Sequence, residues 1–321
     1  MHRRTLILTA AAGIAASALP GFASGVRTIG GDAFGSWWRA VLPAGANPEQ
    51  VRAAIEAVIG SVDASMSPFR ASSEVVRLNG DTGRDWYPVS PGTAEVVAES
   101  LRLGALTGGA FDPTVGPLVH RYGFGPVEGG FGGGYVDVEL REKGIRKARP
   151  DVTLDLCGAA KGYALDEMAR ALEGLGLDAF VLEAGGEVLA RGAHPEGRNW
   201  QVAIETAGTG RLALQRIVRL DGWALATSGD SVNGGRAGGA RFNHLIDPRT
   251  RRPVDNGVAS VSVIDRSAMR ADALATGLFV MGPDKGLELA EQRGLAVLFQ
   301  IHDGTSVFEL RSPMFDRFII A

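Results

Sequence analysis

Apolar residues recur at helical spacing in some stretches of this chain and alternate with polar ones in others. Val51, Ile55, Val58, Ile59 and Val62 form a stripe with steps of three and four, which predicts one face of a helix. Asn47-Pro48 opens it with a capping side chain and a first-turn proline. Ser90-Pro91 opens a second helix, with Ala94, Val97, Ala98, Leu101 and Ala105 turned to the core. Ala164, Leu165, Met168, Leu172 and Leu175 mark a third, preceded by a strand-like segment at 152–156 and a tight turn. Further helices are expected near 269–281 and 284–293. Runs rich in β-branched and aromatic residues at 34–42, 180–183, 201–205, 217–220, 258–264 and 296–301 read as strands. Between the first two helices, residues 65–74 are polar and turn-rich, as in a site loop. Strands come in groups separated by occasional helices, so the pattern predicts an α+β fold. Neither a fixed repeat nor a linker divides the chain, and one large globular unit is expected.

Composition narrows this picture in three ways. The net charge of −3 gives no broad basic footprint, which argues against a nucleic-acid partner. Glycine is over-represented at 45 residues in 321, about twice the usual share, and it is dispersed through turns and motifs, including a glycine-dense loop at 125–134. Cys157 is the only cysteine, so no internal disulfide is available. Residues 1–25 read as an export signal of twin-arginine type: His2-Arg3-Arg4 precedes an apolar stretch to Leu19, with small residues at Gly21, Ala23 and Gly25. The expected mature unit is 26–321, located in the periplasm.

Candidate chemistry is divided between distant segments. Asp272 and Thr276 are four residues apart, so on a helix they share a face. Their oxygens are hard donors suited to Mg²⁺. Ala271, Ala273, Ala275 and Gly277 make that helix small-sided and open to close approach. Residues Asp155 to Tyr163 form a strand-turn-helix passage with Gly158 and Gly162, where a helix N-terminus and Lys161 could cradle a phosphate; the glycines could equally just permit a sharp turn. His244 could act as a base if it reaches an attacking hydroxyl. Asp247-Pro248 is a common turn signal, and Asp247 is read as mainly structural.

Together these segments resemble the ApbE family. Phe34-Gly-Ser-Trp-Trp38, Met66-Ser-Pro-Phe69 with Ser73-Glu74 and Leu78-Asn79, and Ala110-Phe-Asp112-Pro-Thr-Val-Gly-Pro-Leu118 follow one another in that family's order. Gly123-Phe-Gly125, Asp155-Leu-Cys-Gly-Ala-Ala-Lys-Gly-Tyr-Ala-Leu-Asp166, Ala226-Thr-Ser-Gly-Asp230, His244-Leu-Ile-Asp-Pro248 and Ala271-Asp-Ala-Leu-Ala-Thr276 continue it. The resemblance implies an ApbE-like, T-fold-related arrangement of mixed sheets with packed helices. It also implies Mg²⁺-dependent transfer of FMN from FAD to a threonine or serine of a partner flavoprotein, with release of AMP. Gly158, through its carbonyl, Asp272 and Thr276 match the family's metal ligands, with Ala275 at a position that sometimes contributes. Phe34, Phe69, Ala110, Phe111, Asp112, Asp155, Lys161, Ser228 and Ile246 match flavin-nucleotide contacts, and His244 matches the residue that activates the acceptor. Family-level acceptors are exported or membrane-anchored FMN-binding domains of Rnf- or Nqr-type complexes and a nitrous-oxide-reductase regulatory flavoprotein. Three positions depart from the pattern: Phe69 where tyrosine is common, Cys157 where a smaller residue is usual, and Glu183 where asparagine is common. The alternatives are Mg²⁺-dependent FAD hydrolysis to FMN and AMP, which the same residues would serve, and a non-catalytic FAD-binding accessory protein, which would have no need of His244, Asp272 and Thr276 together.

Overall fold

The computed structural model describes residues 25–130, 133–142, 144–207, 214–230, 234–237, 240–304 and 306–320. Residues 1–24 of the expected leader lie outside them. The frame is an eight-stranded sheet made of β1 (Val26–Ala33), β2 (Ser36–Pro43), β3 (Phe180–Ala184), β4 (Glu187–Arg191), β5 (Trp223–Gly229), β6 (Val258–Asp265), β7 (Ala296–Asp303) and β8 (Ser306–Arg311). Every neighbouring pair is antiparallel, and spatial order follows chain order. The rest of the chain forms excursions between consecutive strands. α1 (Pro48–Met66), α2 (Glu74–Gly80), α3 (Pro91–Leu106), α4 (Gly116–Arg121) and α5 (Cys157–Gly174) lie between β2 and β3. A hairpin of Trp200–Glu205 and Leu214–Leu220 lies between β4 and β5, and α6 (Ala268–Met281) and α7 (Pro283–Arg293) between β6 and β7.

Side-chain alternation sends the two faces of this sheet to different cores. Ala40 and Leu42 of β2, Leu182 of β3 and Val297 and Phe299 of β7 join the large core with α1, α3, α5 and α6. Val181, Ile264 and Leu298 face the other way, onto Trp200, Val202, Val218, Phe315 and Phe318. The result is a sheet covered by helices on one face and by the hairpin and chain end on the other. No helix among the described residues is long and apolar enough to cross a membrane.

The predicted helices form where the stripes lie. Asn47 accepts from the amides of Glu49 and Gln50, and Ser90 from that of Thr93, so both predicted caps are made. Three expectations need correction. The first strand pair turns at Phe34-Gly35, with β1 ahead of it and β2 starting at Ser36. The polar stretch 65–74 ends by starting α2, capped by Ser73. Residues 152–156 join no sheet: the Asn79 side chain takes both the amide and the carbonyl of Leu154 (2.7 and 2.8 Å), and the Asp155 amide donates to Pro113 (2.7 Å). With their backbone groups so satisfied, these residues have no ladder to enter.

α5 and α6 cross in backbone contact. A β-carbon on Gly162 would lie 2.3 Å from the Ala268 carbonyl oxygen and 2.7 Å from Met269 Cα. Gly162→Ala is therefore expected to destabilise the fold by about 2–3 kcal/mol, as overpacking does. Gly174→Ala, at the end of the same helix with nothing within 4 Å, should be neutral or stabilising by up to ~1 kcal/mol. Denaturant unfolding of the two variants checks this, and equal stabilities would contradict the close crossing.

Candidate functional site

One cleft of about 350 Å³ opens at the end of the α5–α6 pair, within the usual range for ligand pockets. One wall carries Asp155, Cys157, Gly158 and Lys161 from the start of α5, Asp272 and Thr276 from α6, Ser228 from β5 and Glu187 from β4. Phe69, Ala110, Phe111 and Asp112 form another side, and Phe124, His244 and Ile246 a third. Most residues singled out in the sequence therefore converge, although Asp155 and Thr276 are far apart in the chain. Two do not line it. Ala275 is fully buried within α6. Phe34 sits at the β1–β2 turn with φ of 52°, a strained value for a bulky residue. It lines a neighbouring open depression with Ser36 and Asp63.

Backbone bonds hold the working side chains in place. The Cys157 amide donates to Asp155 Oδ1 (3.0 Å), which fixes the aspartate at the mouth of α5. The Gly162 amide donates to Asp272 Oδ2 (3.1 Å), and the Ser228 and Thr276 hydroxyls are 3.1 Å apart. Thr276 Oγ1 lies 3.8 Å from where a β-carbon on Gly158 would be, so the missing side chain keeps this space open. Asp112 accepts from the Thr114 amide and hydroxyl (2.8 and 2.7 Å) and from the Tyr135 amide (3.0 Å); burial outweighs these bonds and raises its carboxyl above the ordinary range. Asn243 braces the loop of His244, donating to the Val254 carbonyl (3.2 Å) and accepting from the Leu245 amide (2.9 Å). The His244 ring stands edge-on to Phe124, 6.3 Å between centroids. Asp247 serves the turn, as expected: it accepts from the Arg249 amide and guanidinium at 2.9 Å.

Glu187 is the residue that sequence reasoning missed. It pairs with Lys161, whose ammonium is also 3.6 Å from Asp272 Oδ1. Burial alone would lower the Lys161 pKa, but the two carboxylates outweigh it and raise it above the ordinary lysine value. Asp272 is buried at 4% exposure, and desolvation outweighs Lys161 to push its carboxyl up. Glu187 Oε2 is buried without a hydrogen-bond partner. The available signal was a lone acid directly after the two-glycine turn Gly185-Gly186 (φ of 60° and 108°), followed by the apolar Val188, Leu189 and Ala190.

Two buried carboxylates thus share one ammonium, a deficit of positive charge that is costly away from water. A small hard cation fits the deficit, and carboxylate, hydroxyl and carbonyl oxygens are the donors it takes. Among the described residues no group of three or more His, Cys, Asp or Glu could hold a metal, so an ion here would rest on this mixed oxygen set.

Fold and cleft define a single-unit α+β protein with a polar-walled cleft between a helix pair and a histidine loop. The ApbE family model matches residues 34–299. The FAD:protein FMN transferase of Escherichia coli (strain K12) is 33% identical over 318 residues, covering 93% of this chain and 91% of that protein. The flavin transferase ApbE from Vibrio cholerae matches with a TM-score of 0.83 at 34% identity, over 91% of this chain and 99% of that one. The apo flavinyl transferase ApbE from Pseudomonas stutzeri matches with a TM-score of 0.83 at 33% identity, over 92% and 97%. This chain belongs to the ApbE family.

Beside the cleft, on the opposite sheet face, Glu183 accepts from Arg39 (2.5 and 3.1 Å). Burial still pushes its carboxyl up to about 7. A raised carboxyl pKa means the folded state binds the proton more tightly. The associated stability is complete below about pH 4.5 and is lost as pH climbs to 7. Relative to Glu183→Gln, the metal-free protein should lose on the order of 2–3 kcal/mol across that window. Parallel pH profiles of unfolding free energy for the two proteins would refute it.

Proposed function

We propose that this chain is a Mg²⁺-dependent flavin transferase that moves FMN from FAD onto a threonine or serine hydroxyl of a protein acceptor and releases AMP. The observation that carries the reading is the meeting, in one cleft, of the Lys161–Asp272–Thr276 wall with the His244 loop, in a chain of the ApbE family.

Phe69 and Phe111 offer apolar ring surface to the flavin nucleotide, and Ala110 and Ile246 complete the apolar lining. The positive end of the α5 dipole faces the diphosphate, although the Cys157, Ala159 and Ala160 amides are already bonded within the protein, and Lys161 adds a point charge. His244 accepts the proton of the acceptor hydroxyl as that oxygen forms a bond to the FMN phosphorus. The bond from this phosphorus to the bridging oxygen breaks, and the oxygen leaves with AMP. A magnesium ion held by Asp272, Thr276 and the Gly158 carbonyl would neutralise diphosphate oxygens and charge on the leaving group. The Gly162 amide, the donor that ordinarily closes a first helical turn on the residue four back, also reaches Asp272. The Gly158 carbonyl, with two lone pairs, therefore keeps capacity for a cation.

The leader-like Arg3-Arg4 stretch supports action in the periplasm, on exported or membrane-anchored FMN-binding domains of the Rnf/Nqr or nitrous-oxide-reductase regulatory type. Intact mass of co-expressed acceptor domains, read for one added FMN, tests this choice.

His244→Ala should keep FAD affinity and slow FMN transfer by about 10²–10⁴-fold, the usual contribution of a general base. Normal flavinylation by that variant would remove His244 from the mechanism. Transfer in wild type should stop in EDTA and return with Mg²⁺, and AMP release indifferent to EDTA would refute the metal assignment.

A further inference from the structure

Asp166 carries a duty that the reaction itself does not explain. It is buried at 7% exposure and does not line the cleft. Its carboxylate is spent on the first turn of α6. The Ser267 hydroxyl donates to Oδ2 (2.8 Å), the Ala268 amide to Oδ1 (2.9 Å) and the Met269 amide to Oδ2 (3.1 Å). Ser267 in turn accepts from the Arg270 amide (3.2 Å). The amides of a helix start have no partners within the helix, and an anion there also meets the positive end of the helix dipole. Asp166 thus caps α6 from outside, across a sequence separation of about a hundred residues.

The contacts between the two helices descend in steps of four. Asp166 meets residues 267–269, Gly162 meets Ala268, Met269 and Asp272, and Gly158 lies opposite Thr276. Two of these couple a buried carboxylate to backbone amides of the other helix, and the first does so with two amides at the very start of α6. A slip of α6 by one residue would rotate its side chains by roughly 100° and carry Asp272 and Thr276 off the cleft. We infer that Asp166 is a positioning residue: by pinning the α6 N-terminus to α5 it sets the register that brings Gly158, Asp272 and Thr276 together as a cation site. The inference rests on the reading that these three residues hold a divalent ion.

Mn²⁺ serves as probe, because its free ion is counted directly by electron paramagnetic resonance. Asp166→Ala should weaken Mn²⁺ binding by about 10–100-fold, as loss of an outer partner of metal ligands does. The Mg²⁺ concentration for half-maximal FMN transfer should rise in parallel, with FAD affinity in EDTA changed by less than about threefold. Asp166→Asn keeps one accepting oxygen and should recover part of the affinity; it is also the variant to rely on should Asp166→Ala fail to fold. A lowered melting temperature with unchanged Mn²⁺ affinity in a folded variant would overturn the positioning role. If wild type and Thr276→Val bind Mn²⁺ alike, the metal reading itself fails, and the role of Asp166 with it. That failure is visible without any Asp166 variant.

Discussion

Contact between α5 and α6 at Gly162 is the constraint on which the rest depends. The Ala268 carbonyl occupies the space where any other residue would carry its β-carbon. Only at this separation can the Gly162 amide reach Asp272 and the Lys161 ammonium stand between Asp272 and Glu187. The small side chains of α6 serve the same end. Eleven of its residues are buried, as expected of a helix apolar on nearly all sides, and a β-carbon on Gly277 would already touch Phe111 and Thr107 (3.1 Å). The polar Asp272 is tolerated in that setting because its oxygens are met by a backbone amide and an ammonium.

Electrostatics then distinguishes two buried acids that lie close in the chain. Glu183 and Glu187 sit on either side of the Gly185-Gly186 turn and belong to opposite faces of the sheet. Glu183 is matched with a single arginine and faces the smaller core. Glu187 shares Lys161 with Asp272 and faces the cleft. The first arrangement matches one acid with one base, although Glu183 Oε1, like Glu187 Oε2, is buried without a hydrogen-bond partner. The second leaves net negative charge against the space that the proposed diphosphate would enter, and a bound cation would offset both.

Much of this was legible in the chain because it depends on local rules. Helical stripes with Asn47-Pro48 and Ser90-Pro91 in front of them mark α1 and α3, and the spacing of Asp272 and Thr276 reads directly as one helical face. What local rules miss is competition for backbone groups. Residues 152–156 have strand composition, but Asn79 and Pro113 take their hydrogen bonds first. β1 begins with Val-Arg-Thr-Ile and runs into Gly-Gly-Asp, a pattern too weak to announce a strand, and forms because β2 pairs along its whole length. Glu187 was invisible for a related reason: a single acid in a short strand acquires meaning only when α5 brings Lys161 beside it. Asp247 shows the converse, since its turn chemistry is local and was read as such.

The chain order of the sheet has one more consequence. Consecutive pairing lets each new strand join one already made, across excursions of very different length, so much of the frame can assemble as the polypeptide lengthens. The bond from Gly162 to Asp272 nevertheless spans 110 positions, and contacts of that span form late because their loop must close first. A growing chain would already own β1 to β6 and α5 while still lacking the face that carries Asp272 and Thr276. The cleft wall that pairs Lys161 and Glu187 with Asp272 would therefore be completed only after most of the chain had been synthesised.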